Sequence, residues 1–252
     1  MGKKGAPKRL KRLAAPAFWP IPRRIHKWLV KPIPGPHSSE ASLPLQIVLR
    51  DILRLVENTR EARYIVAKGG VQVDGRTVRE RRFPLGIMDV VTFPELKKFY
   101  RILPFPRRGL VPYPIPPEEA FLKPRKVLRK VTQKGGDIML GFHDGFNMLI
   151  KVSDPTRPNE EICKVKDVLL FDLSSGKVIQ RVAFAENVYA LIIGGKNLGK
   201  HGKLISFTGG SGTSPGIATI ESKDGKRYQT TLEYVFPIGV EKPLISLPEG
   251  SS

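Results

Sequence analysis

The sequence predicts an α+β, multidomain chain: an extended basic arm, a two-helix unit with a hairpin, and two small β-domains. Three observations point there. Residues 1–42 contain Pro7, Pro16, Pro20, Pro22, Pro32, Pro34 and Pro36, which argue against a long helix or ladder. Residues 45–66 show helical spacing, and an Asp-Gly turn inside alternating residues follows them. From residue 123 onward, short apolar runs are broken by turn residues, the pattern of small barrels. With 40% apolar side chains in 252 residues the chain can bury real cores.

The distribution of charge is more informative than its size. The formal net charge is +20. Residues 1–42 carry 10 basic and 1 acidic side chain, residues 43–100 carry 11 and 7, and residues 101–134 carry 9 and 2. Residues 135–252 carry 13 of each, so the whole excess lies in the first half. So one-sided a field predicts a polyanion partner, nucleic acid ahead of a membrane surface. The lone Cys163 argues against a disulfide framework, and the 4 histidines show no paired metal spacing. No apolar run approaches the roughly 18 residues a spanning helix needs. Neither a metal nor a cofactor is expected.

Residues 1–42 read as a basic Pro-rich arm. Pro16, Pro20 and Pro22 interrupt any secretory core, and a transit peptide would be richer in serine, whereas Ser38 comes first here. Its candidate RNA contacts are Lys3, Lys4, Lys8, Arg9, Lys11, Arg12, Arg23, Arg24, His26, Lys27 and His37. Trp19 and Trp28 lie among these cations, where a ring could stack on an unpaired base while cations track phosphates. Phe18, Trp19 and Trp28 suit anchoring the arm onto its own protein equally well.

Residues 43–100 follow as a helical unit. Ser42 is placed to cap a helix with Pro44 in its first turn, and Leu45, Val48, Leu49, Ile52 and Val56 form its stripe. Asn58 and Glu61 suit a capping box for a second helix ended by Gly69-Gly70. Val71 to Val78 alternate around Asp74-Gly75, a hairpin signal. Two short helices, then a hairpin, with arginines on the outer faces, resemble the αL RNA-binding module. Arg50, Arg54, Arg60, Arg63, Lys68, Arg79, Arg81 and Arg82 are the contacts that resemblance implies.

Residues 101–122 hold Pro104, Pro106, Pro112, Pro114, Pro116 and Pro117 and read as a stiff extended linker, with Arg107 and Arg108 as candidate contacts. Residues 123–180 read as a central β-domain whose basic start adds Lys123, Arg125 and Lys126. Residues 181–236 read as a second barrel, and residues 237–252 as a tail. Gly194 through Lys200 fit the glycine and lysine positions of a phosphate loop, yet His201 stands where the Mg²⁺-holding hydroxyl belongs and Gly202 where a helix should begin. Strand, tight glycine-rich loop and strand resemble instead a KOW motif in an SH3-like barrel. Lys196, Asn197, Lys200, His201 and Lys203 are its candidate contacts.

Several stretches resemble the S4e family of small-subunit ribosomal proteins: Lys11-Arg12-Leu13-Ala14-Ala15-Pro16, Gly35-Pro36-His37, Leu43-Pro44-Leu45, Val73-Asp74-Gly75, Gly86-Ile87-Met88-Asp89-Val90, the glycine-rich loop, and Ile245-Ser246-Leu247-Pro248. The short connectors fit an archaeal member. The resemblance implies a cytoplasmic, non-catalytic protein of the small ribosomal subunit, with 16S ribosomal RNA and neighbouring ribosomal proteins as partners and no homo-oligomer. Two alternatives are an RNA-modifying enzyme targeted by an αL module and a KOW-containing transcription factor. For the first, Asp89, Asp137, Asp144, Asp167 and Asp172 are available, none in a catalytic signature.

Overall fold

The computed structural model describes residues 9–152, 163–209 and 215–248. Lys3, Lys4 and Lys8 lie outside them. Among the described residues the architecture is α+β with few helices and three five-stranded antiparallel sheets.

The arm is more structured than its prolines suggest. β1 (Leu10–Lys11) pairs with β2 (Trp28–Leu29), Lys11 opposite Trp28. Ala15, Trp19, Ile21 and Leu29 are buried in the same core as the helical unit. Trp19 Nε1 donates to the Ser42 carbonyl at 2.9 Å. Arg23 holds the turn between the strands, donating to the carbonyls of Ala15 and Pro16 at 2.6 Å each. These are side-chain bonds to backbone groups that proline-rich chain cannot pair in a ladder.

β3 (Leu43–Pro44) leads into α1 (Leu45–Ile47), which widens into a π-helical turn, Val48–Ile52. The predicted helix to Val56 therefore stops early, and Arg54 adopts φ 52°. Ser42 does not cap it; its hydroxyl donates to Ser38 O at 2.7 Å. α2 (Thr59–Lys68) does carry its capping box, and Gly69 closes it at φ 87°. Glu61 accepts from the Glu57 and Asn58 amides, which lowers its pKa.

The first sheet combines β4 (Gln72–Val73), β5 (Arg76–Thr77), β7 (Val90–Phe93), β8 (Lys98–Phe105) and β9 (Gly109–Pro114), while β6 (Pro84–Leu85) pairs with β3. Asp74 and Gly75, at φ 50° and 76°, make the left-handed hairpin turn that Asp-Gly favours. The Pro-rich stretch is a correction: instead of a linker, β8 and β9 form a hairpin, Tyr100 opposite Pro114 through Phe105 opposite Gly109. Pro112 and Pro114 are tolerated because β9 is the sheet's edge strand, and Pro104 lies on β8 beyond Arg101, the last residue there in register with β7. Gly109 is needed there, since a Cβ would stand 1.8 Å from the Phe18 carbonyl of the docked arm.

The second sheet orders as β12-β11-β10-β13-β14. The long strand β10 (Leu122–Thr132) gives its first half to β13 (Val168–Asp172) and its second to β11 (Ile138–Phe142), with a bulge between Val127 and Arg129. β12 (Asn147–Ile150) and β14 (Val178–Val182) complete it. The third sheet holds β15 (Tyr189–Ile192), β16 (His201–Thr208), β17 (Ile217–Glu221), β18 (Arg227–Thr231) and β19 (Val235–Gly239). Lys126 Nζ ties the sheets together by donating to Glu233 O at 2.8 Å and Val235 O at 2.6 Å. Burial lowers that lysine's pKa to about 8.

Candidate nucleic-acid interface

The structure divides the predicted contacts into three groups. Arg9, Lys11, Arg24, His26, Lys27, Arg54, Arg60, Arg63, Lys68, Arg79, Arg82, Arg107, Arg108, Lys196 and Lys203 are exposed. Arg23, Arg50, Arg81, Arg125, Lys200, Asn197 and His201 are half-buried. Arg12, His37, Lys123 and Lys126 are buried, as is Trp19, and these five face protein.

On the arm, the exposed group surrounds Trp28, which is 47% exposed. Arg9 and Lys27 each stand 5.6 Å from its ring centroid. Pairing of Lys11 with Trp28 across β1 and β2 brings this cluster together. Trp19, by contrast, is an anchor and offers no stacking face; Arg12 turns inward to donate to Pro22 O at 2.7 Å. On the helical unit, α2 buries Ala62 and Val66 while Arg60, Arg63, Tyr64 and Lys68 face solvent. Arg76 at the hairpin turn is also exposed, and residue type alone did not single it out. Arg50 and Arg81 are fixed by Asp51 and Gln46 respectively.

The buried group forms an ionic cluster that joins four parts of the chain. Lys123 Nζ lies 2.5 Å from Asp74 Oδ2, 2.7 Å from Asp89 Oδ1 and 3.2 Å from Asp144 Oδ2. His37 from the arm meets Asp89 at 3.0 Å, and Arg125 meets Asp144 at 2.7 Å. The Arg125 guanidinium also lies 4.3 Å from the Phe146 centroid and 4.6 Å from that of Phe171. Burial opposes ionisation of Asp89, yet Lys123 and then His37 outweigh it and hold that carboxyl far below the usual range. Burial likewise opposes ionised Asp144, but Lys123, His143 and Arg125 bring it down to about 2. Asp74 goes the other way, raised by burial. Burial disfavours the Lys123 ammonium, but Asp89, Asp74 and Asp144 together raise its pKa. The space where three carboxylates converge is thus filled by an ammonium. Among the described residues no group of His, Cys, Asp and Glu could hold a metal ion.

Glycine makes this cluster possible. A Cβ on Gly86 would stand 2.2 Å from the His37 ring, so only glycine lets the histidine reach Asp89. The Gly86 amide donates to the second Asp89 oxygen at 2.8 Å. His143, beside it, accepts from the Lys126 amide at 3.2 Å and contacts Ile87 O at 3.2 Å. Burial lowers its pKa to about 4.

The glycine-rich loop is also set mainly by internal packing. A Cβ on Gly194 would meet the Tyr234 ring at 2.6 Å, and one on Gly199 would meet Pro106 at 2.7 Å. Nδ2 of Asn197 donates to Gln229 O, and His201 bridges Tyr189 Oη and Pro248 O. His201 is therefore a clip for the tail; Lys196 and Lys203 are exposed, and Lys200 is half-buried.

The described residues thus present an exposed cationic surface on small antiparallel sheets. Comparison sharpens this. Residues 96–178 match the model of "Ribosomal family S4e", and residues 4–40 that of the "RS4NT (NUC023) domain". The chain is 42% identical over 251 residues to small ribosomal subunit protein eS4 of Aeropyrum pernix, covering 100% of this chain and 99% of that protein. It is 44% identical to its counterpart in Staphylothermus marinus over 251 residues, covering all of both. The solved structure of 30S ribosomal protein S4e from Thermoplasma acidophilum aligns with a TM-score of 0.65 at 30% identity, over 79% of this chain and 95% of the other. The chain belongs to the S4e family of ribosomal proteins.

Proposed function

We propose that the chain is a structural constituent of the small ribosomal subunit, working in the cytoplasm by binding 16S ribosomal RNA beside neighbouring ribosomal proteins. In this reading residues 43–100 act as an αL module and residues 181–236 as an SH3-like KOW barrel. One observation carries the reading: exposed cations group beside the β1–β2 pair (Arg9, Lys11, Lys27) and on the outer face of α2 (Arg60, Arg63, Lys68), while Lys123 and Arg125 neutralise buried carboxylates. Phosphate neutralisation with counterion release then supplies affinity, and a rigid surface supplies register.

No catalytic step belongs to this reading. Aspartates that an RNA-modifying enzyme would need have structural partners: Asp89 and Asp144 in the ionic cluster, Asp167 with Arg181 and the Phe184 amide, Asp172 with Ser174 and Ser175, and Asp137 with the Val152 amide.

The test is affinity for small-subunit RNA as a function of salt. With about six phosphates covered, log affinity falls against log salt with a slope of roughly −4 to −5. A slope near about −1 overturns the charge mechanism. Removing the arm is a poor variant, because Trp19, Ile21 and Leu29 belong to the core. Arg60→Ala and Arg63→Ala are suitable, each reducing the slope by about one.

A further inference from the structure

The third sheet carries a groove of ≈ 650 Å³ beneath the glycine-rich loop. The register aligns Ser206, Thr219 and Gln229 side by side on β16, β17 and β18, so its floor offers hydroxyl and amide groups. Its lip is preformed. The Asn197 side chain is bonded to Gln229 O at 3.1 Å, and Lys200 Nζ donates to Asn197 Oδ1 at 3.2 Å while standing 3.8 Å from the Tyr228 centroid. Lys196 and Arg227 are exposed at the rim. Glu221, 3.5 Å from Arg227, offsets only part of this positive charge.

We infer that the groove receives one unpaired ribonucleotide of an RNA strand. Lys196, Lys200 and Arg227 meet its phosphates, and the floor hydroxyls meet a base edge or 2′-hydroxyl. A volume of ≈ 650 Å³ falls within the range of small-ligand sites, about 300–1,000 Å³. Paired A-form RNA would present phosphates to the rim but keep its base edges away from the floor, whereas an unstacked nucleotide reaches both. The inference rests on the RNA-binding reading above and adds a place and a strand state. Arg227, Tyr228 and the two hydroxyls lie outside the KOW-like stretch, so the loop sequence alone gave no sign of them.

The experiment titrates the full chain with a short unstructured oligouridylate, a duplex of equal length, and uridine monophosphate. A Ser206→Ala/Gln229→Ala double variant of the floor is compared, since duplex and strand both present phosphates to the rim cations; both side chains are exposed, so the core is untouched. Strand affinity is expected to drop about tenfold, with duplex affinity changing about twofold or less. Equal losses on strand and duplex, or no loss, overturn the site while leaving the RNA-binding reading intact. Mononucleotide binding as tight as the strand overturns the strand as its source. A parent chain with no salt-dependent RNA binding overturns the broader reading itself.

Discussion

Lys123 Nζ stands 2.7 Å from Asp89 Oδ1 with both side chains 1% exposed, and this pair joins the first sheet to the second. His37 adds the arm, and Asp144 adds the β11–β12 turn. A buried charge pair contributes little against an apolar substitute for the whole set, but losing one partner strands the others in low dielectric.

Lys123→Met leaves Asp74, Asp89 and Asp144 without their shared cation. Urea unfolding is expected to show a loss of about 3–5 kcal/mol. A midpoint equal to that of the parent would mean the carboxylates find another partner.

Gly86→Ala places a methyl group against the His37 ring. The cost expected is about 1–3 kcal/mol from overpacking, with His37 displaced from Asp89. Limited proteolysis around residues 31–42 reads this out: faster cleavage in the variant supports the contact, an unchanged pattern refutes it.

Two tryptophans of one arm are expected to behave differently. Trp19→Ala empties a core site and costs about 3–5 kcal/mol of stability. Trp28→Ala leaves the melting temperature nearly unchanged and weakens RNA affinity. The reverse pattern would invalidate the division between anchor and contact.

His143 gives the fold a dependence on pH. Its pKa falls from 6.5 to about 4 on folding, so between these values the unfolded chain holds the proton and the native chain does not. Stability contributed by the neutral ring is complete above 6.5 and declines as pH falls towards 4, by roughly 3 kcal/mol at most. Asp144, lowered to about 2, adds its own loss only below its unfolded value of about 3.9. Asp74, raised, acts in the opposite direction and is common to parent and variant. Thermal melts of His143→Gln against the parent across this window are expected to show a shallower decline; parallel curves would assign the titration elsewhere.

Local signals were legible where the chemistry is local. Asn58 with Glu61, Gly69 and Asp74-Gly75 each specify backbone geometry within a few residues, and all three took the expected form. Pro112 and Pro114 misled because proline forbids a central ladder but not an edge strand, and edge position depends on sheet order. Trp19 and Trp28 sit in similar basic surroundings, and nothing nearby in the chain says which one is covered.

By itself the sequence showed a resemblance to the S4e family through whole stretches of residues, while composition and short-range spacing determined the concentration of charge in residues 1–134, the capping box of α2 and the Asp74-Gly75 turn. Only the tertiary structure decided which cations face outward. Lys123 meets Asp89 across 34 positions and Asp74 across 49, so its burial is a property of sheets brought together. A lysine written among Arg125, Arg129 and Lys130 looks like a phosphate contact until the fold surrounds it with three carboxylates. Basic side chains of residues 1–134 are therefore divided between those matched by carboxylates inside the fold and those left on its surface.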